Sequence, residues 1–592
     1  MKTKSFLSGF LIWRIRNIDD RSFILVLSVI IGVGAGIIAL IFKTSVFHLQ
    51  EFLVKNFVLK YSYFLFLIFP IIGITITVIF KHYILKDHIK HNISSILHAI
   101  SKRNSLMKAH KIYSSVFGAI VTAGFGGSIG LESPIISSGA ALGSNIGKIF
   151  RLNYKSIRLL LACGASAAIA AIFNTPIAGI VFALEVLLID LSRFSLIPLL
   201  MAAISGAITT KLFGEEEILL EFVINQPFVS RDIPFFIILG ILSGLVSFYF
   251  TKVFVFIDGK FEKLKNHSSK LIFGAAALGI MIFLFPALYG EGYDTLKLIL
   301  NGNAHEVFTE SIFSTFIDNW LVFVLFFLFL ILIKVFATVT TIGAGGIGGI
   351  FAPSLFNGAV LGFLFAFIYN SCGFETSLSE SNFALVGMAS VLGGVLHAPL
   401  TGIFLIAEIT SGYELIVPLM LSTTISFVTV KRLESNSIIT MQLAKRGELI
   451  THDKDKAVLA FMKLDKVIET DFIIVPIEAT LGNLVKIISK SKRNIFPVVD
   501  KENILHGIIL LDDVRDIMFN SEMYDNILVR NLMIIPPAYI DKSDSMQNVI
   551  NKFNETSAWN LPVTHNSKYV GFISKSKLFS SYRKLLMELT EE

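Results

Sequence analysis

Long stretches of apolar residues with few or no charges run through the chain up to about residue 435. They span residues 23–43, 63–81, 233–257, 270–289, 320–336 and 384–407. Each approaches the roughly 20 residues that a helix needs to cross the hydrocarbon core of a bilayer. Beyond residue 435 the apolar runs shorten and are separated by Lys, Asp and Asn. The pattern predicts an all-α, multi-pass membrane domain at 1–440 and a soluble domain at 441–592.

The composition supports a membrane protein and narrows its chemistry. Of the 592 residues, 54% are hydrophobic and 16% are charged, against about 25% charged in soluble domains. The net charge of +7 indicates basic loops beside lipid and not a nucleic-acid partner. Two cysteines, Cys163 and Cys372, exclude a disulfide framework and a cysteine-based metal site. A cytoplasmic N-terminus in the cell (inner) membrane is predicted by the basic residues before the first span, Lys2, Lys4, Arg14, Arg16 and Arg21.

The membrane part repeats itself. The segment Gly-Leu-Glu-Ser-Pro at 130–134 is echoed by Gly-Ile-Phe-Ala-Pro at 349–353, and residues 174–185 are echoed by 397–408. Both pairs are separated by about 220 residues, which predicts a duplication with repeats at about 24–215 and 233–430. Duplicated membrane halves are typical of transporters, whose sites lie near the midplane where discontinuous helices end.

Each copy of the first motif has the pattern of a broken helix. Glycine-rich stretches at 124–130 and 343–349 interrupt apolar runs, and Pro134 and Pro353 then fall where proline suits the first turn of a new helix. Helix N-termini expose unpaired N–H groups and carry about half a positive charge. Two such ends aimed at one point predict an anion site. Neither motif contains Lys or Arg, which favours weak binding and passage.

Glu132 is the exception within these motifs. A carboxylate in the membrane costs roughly 2.5–3.5 kcal/mol on insertion scales. Near two positive helix ends it would act as an internal anion that competes with the transported one, and protonation would release the site. We therefore predict that Glu132 is the gate; the alternative is a glutamate that only caps a wet helix end.

These motifs resemble the CLC family of chloride channels and chloride/proton antiporters over about residues 20–440. Residues 130–134 look like the family's GREGP motif, with Glu132 at its gating glutamate, and 349–353 look like its GxFxP motif. The resemblance implies chloride as the transported ion, and a homodimer in lipid with one pore per subunit and two inverted halves. The anion-binding residues that it implies are Gly130, Leu131, Glu132, Ile350, Phe351, His91 and Ile439.

Three of these positions depart from the family pattern. His91 replaces the serine of the GSGIP motif, Ile439 replaces the pore tyrosine, and Leu131 replaces the arginine of GREGP. Backbone contacts to the anion do not depend on side chains, so they should remain, and the departures affect selectivity more than anion transport itself.

A further departure concerns coupling to protons. The position of the internal glutamate that similar antiporters use as a proton relay is Val186, which cannot titrate, with Glu185 one residue earlier. A helix turns about 100° per residue, so Glu185 would face another way. This favours a channel-like protein of the voltage-gated chloride type, with a chloride/proton antiporter as the alternative.

Other classes of protein are disfavoured. A divalent-cation channel would need more acidic residues in the motifs, and the sequence contains no HExxH motif or nucleophile–base pair typical of an enzyme. A metal site is not predicted either, since no acidic or cysteine partner has matching spacing to the histidine cluster of His82, His88, His91 and His98.

The soluble part contains a second repeat. Residues 494–499 and 507–509 are echoed by 560–563 and 571–573, each within a helix–strand–turn–strand–helix pattern. This resembles an α/β tandem pair of CBS domains, at about 467–520 and 528–585, on the cytoplasmic side. Such pairs often bind adenine nucleotides through Gly-x-x-Ser/Thr-x-x-Asp. Both copies are incomplete: the first has Asp513 but Leu510, and the second has Ser574 but Lys577. A structural dimerisation module is an equal alternative, and no cofactor is required.

Overall fold

The computed structural model describes residues 9, 11, 13–14, 16–58, 64–85, 93–102, 104–189, 193–214, 227–264, 266–309, 311–316, 319–410, 412–444, 462 and 464–590. The chain divides into two units, Met1–Leu449 and Ile450–Glu592. The first is helical, and the second combines strands with helices. The predicted fold class is confirmed.

The helices of the first unit are α1 (Asp20–Leu53), α2 (Leu65–Ile79), α3 (Ile93–Lys102), α4 (Lys111–Gly124), α5 (Glu132–Ile149), α6 (Tyr154–Phe173), α7 (Pro176–Glu185), α8 (Arg193–Phe213), α9 (Ile233–Lys263), α10 (His267–Leu284), α11 (Tyr293–Leu300), α12 (Ala304–Thr309), α13 (Trp320–Gly343), α14 (Phe351–Ser371), α15 (Glu380–Leu396), α16 (Pro399–Ile409), α17 (Ile416–Leu433) and α18 (Ile438–Ala444).

Apolar length alone identified some of the membrane helices and misjudged others. Among the described residues, eight helices are long and apolar enough to span a bilayer. Four of these were not among the predicted runs, because small and polar residues dilute their hydropathy: Tyr154–Phe173, Phe194–Phe213, Phe351–Ser371 and Ile416–Gln442.

The apolar run at 384–407 is not one helix. The run covers most of α15 and most of α16. His397, between the two helices, has a left-handed backbone with φ of 57°. Pro399 opens α16, and its ring disfavours helical geometry in the residue before it. The equivalent break between α6 and α7 lies at Asn174, also with φ of 57°. The two halves therefore break their helices in the same way.

The duplication extends to packing. In the first half α6 packs on α5, α7 and α8, and in the second α15 packs on α14, α16 and α17. Glycines allow the closest approaches: a side chain on Gly358 would overlap the backbone of Gly387, and one on Gly139 the backbone of Gly164. Each half thus rests on an equivalent glycine crossing, and the breaks at 124–132 and 343–351 end up in equivalent places.

The second unit contains two copies of one small fold. The first comprises β1 (Val475–Pro476), α19 (Leu481–Ile488), β2 (Ile495–Val499), β3 (Leu505–Leu510) and α20 (Leu511–Val514); the second comprises β4 (Ile540–Asp541), α21 (Met546–Thr556), β5 (Asn560–His565), β6 (Lys568–Ser574) and α22 (Lys575–Thr590). In each copy the first strand pairs parallel with the second, which pairs antiparallel with the third. The copies contact each other through backbone pairs such as Glu469 with Phe572.

Candidate anion site

The two broken segments meet through their backbones. α4 ends at Gly124 and α5 begins at Glu132, while α13 ends at Gly343 and α14 begins at Phe351. The predicted breaks are confirmed. Gly130 and Gly349 form an antiparallel bridge, with N–H to carbonyl distances of 2.9 and 2.8 Å. This reciprocal pair brings the N-termini of α5 and α14 together, as two inverted repeats would.

Glu132 is fully buried at the first position of α5. Its Oε2 accepts the backbone N–H of Ala352 at 3.3 Å, in the first turn of α14. Its Oε1 accepts the hydroxyl of Tyr293, the first residue of α11. The carboxylate of one half therefore accepts a backbone N–H at the helix end of the other half, the kind of group that would bind an anion.

Tyr293 was not predicted from the sequence. It belongs to neither repeated motif, and no local pattern indicates that the turn before α11 returns to the helix ends. The only local signal was the pair of glycines in the stretch Gly-Glu-Gly-Tyr at 290–293, which is typical of a turn. In the structure both glycines have positive φ, 63° at Gly290 and 94° at Gly292. Such a turn fixes the direction in which the next helix begins.

A cavity of about 640 Å³ reaches the same motifs. Its walls include Ser133, Gly349, Ile350 and Ile439, so the sequence-predicted positions 350 and 439 do border one space. His91 lies outside the described residues. The lining also includes the titratable residues Lys81, His82, Lys270, Asp258 and Glu262.

The remaining motif residues are enclosed. Leu131, Ile350 and Phe351 are buried, and the ring of Phe351 stacks on that of Phe173 at 5.9 Å. These side chains leave backbone N–H groups as the polar face of the motifs, which is what binding by helix ends requires.

Glu185 is the last residue of α7 and Val186 follows it, and their surroundings differ. Val186 is buried and apolar. The Glu185 carboxylate accepts the backbone N–H groups of Leu400 and Thr401, at 3.2 and 2.8 Å, and so caps the N-terminus of α16. In this structure Glu185 is held as a helix cap.

Glu408 makes the mirror-image contact. Its two oxygens accept the N–H groups of Ile177 and Ala178 at the start of α7, at 3.0 and 2.8 Å. Each half therefore supplies the capping carboxylate for the other, a relationship that the repeated Glu in the sequence did not by itself indicate.

In the second unit the nucleotide-motif residues are differently placed. Asp513 is exposed on α20, whereas the Ser574 hydroxyl donates to Glu469 Oε1 at 2.5 Å and accepts the N–H of Lys577 at 3.2 Å. Glu469 also accepts Arg493 Nη2 at 2.7 Å.

Arg493 joins a second acid beside Glu469. It forms three hydrogen bonds to the Asp471 carboxylate, and these hold the pKa of Asp471 below its usual range. Within the described residues no group of three His, Cys, Asp or Glu side chains is arranged to hold a metal ion.

A duplicated helical membrane domain in which two helix N-termini meet around a buried carboxylate defines the protein as a multi-pass anion transporter of the broken-helix type. Residues 72–431, more than half of the chain, match the family model described as voltage gated chloride channel. The chain belongs to this family, and residues 464–520 and 529–584 each match the CBS domain model. The predicted resemblance to both is confirmed.

Individual relatives agree with this assignment. The H(+)/Cl(-) exchange transporter ClcA of Vibrio cholerae serotype O1 (strain M66-2) is 28% identical over 345 residues, which cover 56% of this chain and 68% of the relative. A slow cyanobacterial Cl-/H+ antiporter superposes with a TM-score of 0.63 at 22% identity, over 73% of this chain and 99% of the other. A CLC-type fluoride/proton antiporter superposes with a TM-score of 0.58 at 25% identity, over 71% and 97%.

Proposed function

We propose that this protein moves chloride, or a similar small anion, between the helix ends at 130–134 and 349–353, and that Glu132 is the gate. The observation that carries the proposal is the buried Glu132 carboxylate bonded to the Ala352 N–H. A carboxylate at an N–H that an anion needs closes the path, and protonation weakens its hold. Leu131, Ile350 and Phe351 would bind the anion through their backbone N–H groups, with His91 and Ile439 beside the path. The predicted contact to Gly130 does not fit, because its N–H already donates to the Gly349 carbonyl.

We further propose that anion movement is coupled to protons. A gate that opens by binding a proton links the two ions, and the exchange transporter ClcA and the two antiporter structures are named for such exchange. The second candidate is the passive, voltage-gated chloride channel favoured by the sequence. Its supporting observation is Val186, since a buried valine cannot relay a proton.

The deciding experiment uses purified protein in liposomes, with chloride and pH followed together. An outward chloride gradient should drive protons into the vesicles against their own gradient if the protein is an exchanger. Chloride movement with no uphill proton movement would exclude exchange and leave the channel.

The gate is tested in the same vesicles. Glu132→Gln removes the charge but keeps the size of the side chain, so anion flux should lose its pH dependence. Glu306→Gln, at an exposed position on α12, is the matched control. Unchanged pH dependence in Glu132→Gln would contradict the assignment.

We propose a homodimer that covers the reciprocal caps. Glu185 and Glu408 are half-buried, and Ile177 and Leu400 beside them are exposed. Carboxylates facing lipid are costly, and a second copy on this surface would shield them. Leu400→Cys should crosslink two subunits in membranes, whereas exposed Phe256→Cys on α9 should not.

The placement of the protein and its CBS domains is also proposed. We place the chain in the cell (inner) membrane with the N-terminus and residues 441–592 in the cytoplasm, from the basic N-terminal residues. The CBS domains have two candidate roles. One is to bind an adenine nucleotide at Asp513, Ser574 and Lys577. The other is a purely structural role, which the Ser574–Glu469 hydrogen bond favours. Labelled ATP that binds the full-length protein and is lost in Asp513→Asn would support the nucleotide.

A further inference from the structure

A second buried carboxylate lies beside the gate. Glu291 is 7% exposed in the turn before α11, two residues before the Tyr293 that bonds Glu132. Its Oε2 accepts Gln50 Nε2 at 3.1 Å. Gly290 and Gly292 on either side both have positive φ, a conformation that other residues rarely adopt. The turn is therefore shaped around Glu291.

A buried lysine faces the same turn. Lys334 on α13 has no solvent exposure, and its Nζ donates to the backbone carbonyl of Glu291 at 3.2 Å. The same Nζ lies 4.6 Å from the centre of the Phe356 ring. An ammonium group inside a membrane helix is costly unless it is balanced or functional, and the acidic groups at this turn balance it.

The charges around Glu291 do not cancel. The titratable groups that face it are Glu132 from α5, Lys334 from α13, and Tyr289, Tyr293 and Asp294 from its own segment. Asp294 is exposed and so does not add to the buried charge. With both buried glutamates ionised, two negative charges face one positive charge. A net buried charge is unfavourable, and one bound proton removes it.

The hydrogen bonding of Glu291 is consistent with a proton acceptor. An ionised carboxylate accepts hydrogen bonds at both oxygens. Within the described part of the chain, Oε1 of Glu291 is buried and has no hydrogen-bond partner. Glu132, in contrast, has a partner at each oxygen. A proton on the unpartnered oxygen of Glu291 therefore removes the buried charge that is least stabilised by hydrogen bonds.

We propose that Glu291 is a second proton-binding carboxylate of the transport cycle, which titrates together with Glu132. This inference rests on the proposed gate. The Glu291 carboxylate takes up one proton and becomes a carboxylic acid. It releases the same proton when Glu132 becomes ionised again. Two interacting acids share their protons, so their titration spreads over a wider pH range than that of one acid.

The test measures anion and proton flux in liposomes across acid to neutral pH, for the full-length wild type and Glu291→Gln. In the wild type the pH profile of anion flux should be broad. In Glu291→Gln it should narrow to the profile of one acid, with up to about tenfold change per pH unit, and the number of protons moved per anion should fall. Glu306→Gln, at an exposed position on α12 away from the groups that face Glu291, is the control and should behave as wild type.

Gln50→Met provides a second, milder variant in case Glu291→Gln does not fold. It removes the donor to Glu291 Oε2 and leaves the carboxyl, so the ionised form loses stabilisation and the pH profile should shift to higher pH. Profiles that match wild type in both variants would overturn the inference. A wild type that moves anions without protons would refute exchange, yet the two pH profiles would still decide the role of Glu291.

Discussion

Tyr293→Phe is expected to open the gate more often. The change removes one hydroxyl and leaves the ring, which packs against Phe173 with centroids 6.4 Å apart. A hydrogen bond to a charged group is worth about 1.5–3 kcal/mol, and both partners are buried, so water does not replace it. Since about 1.4 kcal/mol is a factor of ten, the closed state should lose about 10- to 150-fold in population relative to the open state.

The assay is chloride efflux from liposomes at neutral pH, where opening limits the rate. Tyr289→Phe is the matched control, because the hydroxyl of this neighbouring tyrosine donates to the Gly124 carbonyl at 3.1 Å and not to Glu132. At acid pH the Tyr293→Phe and wild-type rates should converge, since a protonated Glu132 no longer needs the hydroxyl. An equal increase in the Glu132→Gln background would refute the reasoning, because the gain must come from the Tyr293–Glu132 pair.

Three further changes test the frame around the site. Glu185→Gln should lower thermal stability by about 1–2 kcal/mol through loss of a charged helix cap, as seen by unfolding in detergent; an unchanged melting temperature would argue against the cap. Gly358→Ala should cost about 1–3 kcal/mol by overpacking, whereas Gly259→Ala, with nothing within 4 Å of the added carbon, should not. The Arg493–Asp471 pair lowers the pKa of Asp471. The pair therefore stabilises the fold at pH values above the pKa that Asp471 has in the unfolded chain. This stabilisation is lost as the pH falls through the lower pKa that Asp471 has in the folded protein. In Arg493→Met this loss of stability at acid pH should disappear, as measured by hydrogen exchange of residues 464–590 in the full chain. A loss of stability at acid pH equal to that of wild type would contradict the prediction.

The repeated motifs predicted the framework well, because a break needs a local signal. Glycine runs, a proline in the next turn and a matching copy about 220 residues away all lie in short segments of sequence. The predicted breaks at 124–130 and 343–349 therefore agree with the structure, in which the next helices begin at Glu132 and Phe351. Apolar length predicted less, because helices packed inside a protein need not be apolar all round. Thus α6, almost wholly buried by its neighbours, did not stand out.

Contacts between distant segments could not be predicted. Tyr293 meets Glu132, and Gln50 meets Glu291, across 161 and 241 residues, and nothing in the local sequence records these distances. Lys334 did carry a signal, since a lone charge in an apolar helix indicates a functional site. The run at 320–336 showed it, but its partner in the turn before α11 became evident only in the fold.

The duplicated frame is symmetric, and its chemistry is not. Glu132 corresponds by position to Phe351 in the second copy, while the bridge between Gly130 and Gly349 is reciprocal. If both copies carried a carboxylate, two fixed negative charges would face the two helix ends, and a mobile anion would have no vacant donor. With one carboxylate and one phenylalanine, a single internal anion competes with the mobile one for the donors at the two helix ends. Of the three positions at which the two motifs differ, the pair of Glu132 and Phe351 is therefore the one on which the proposed gate depends.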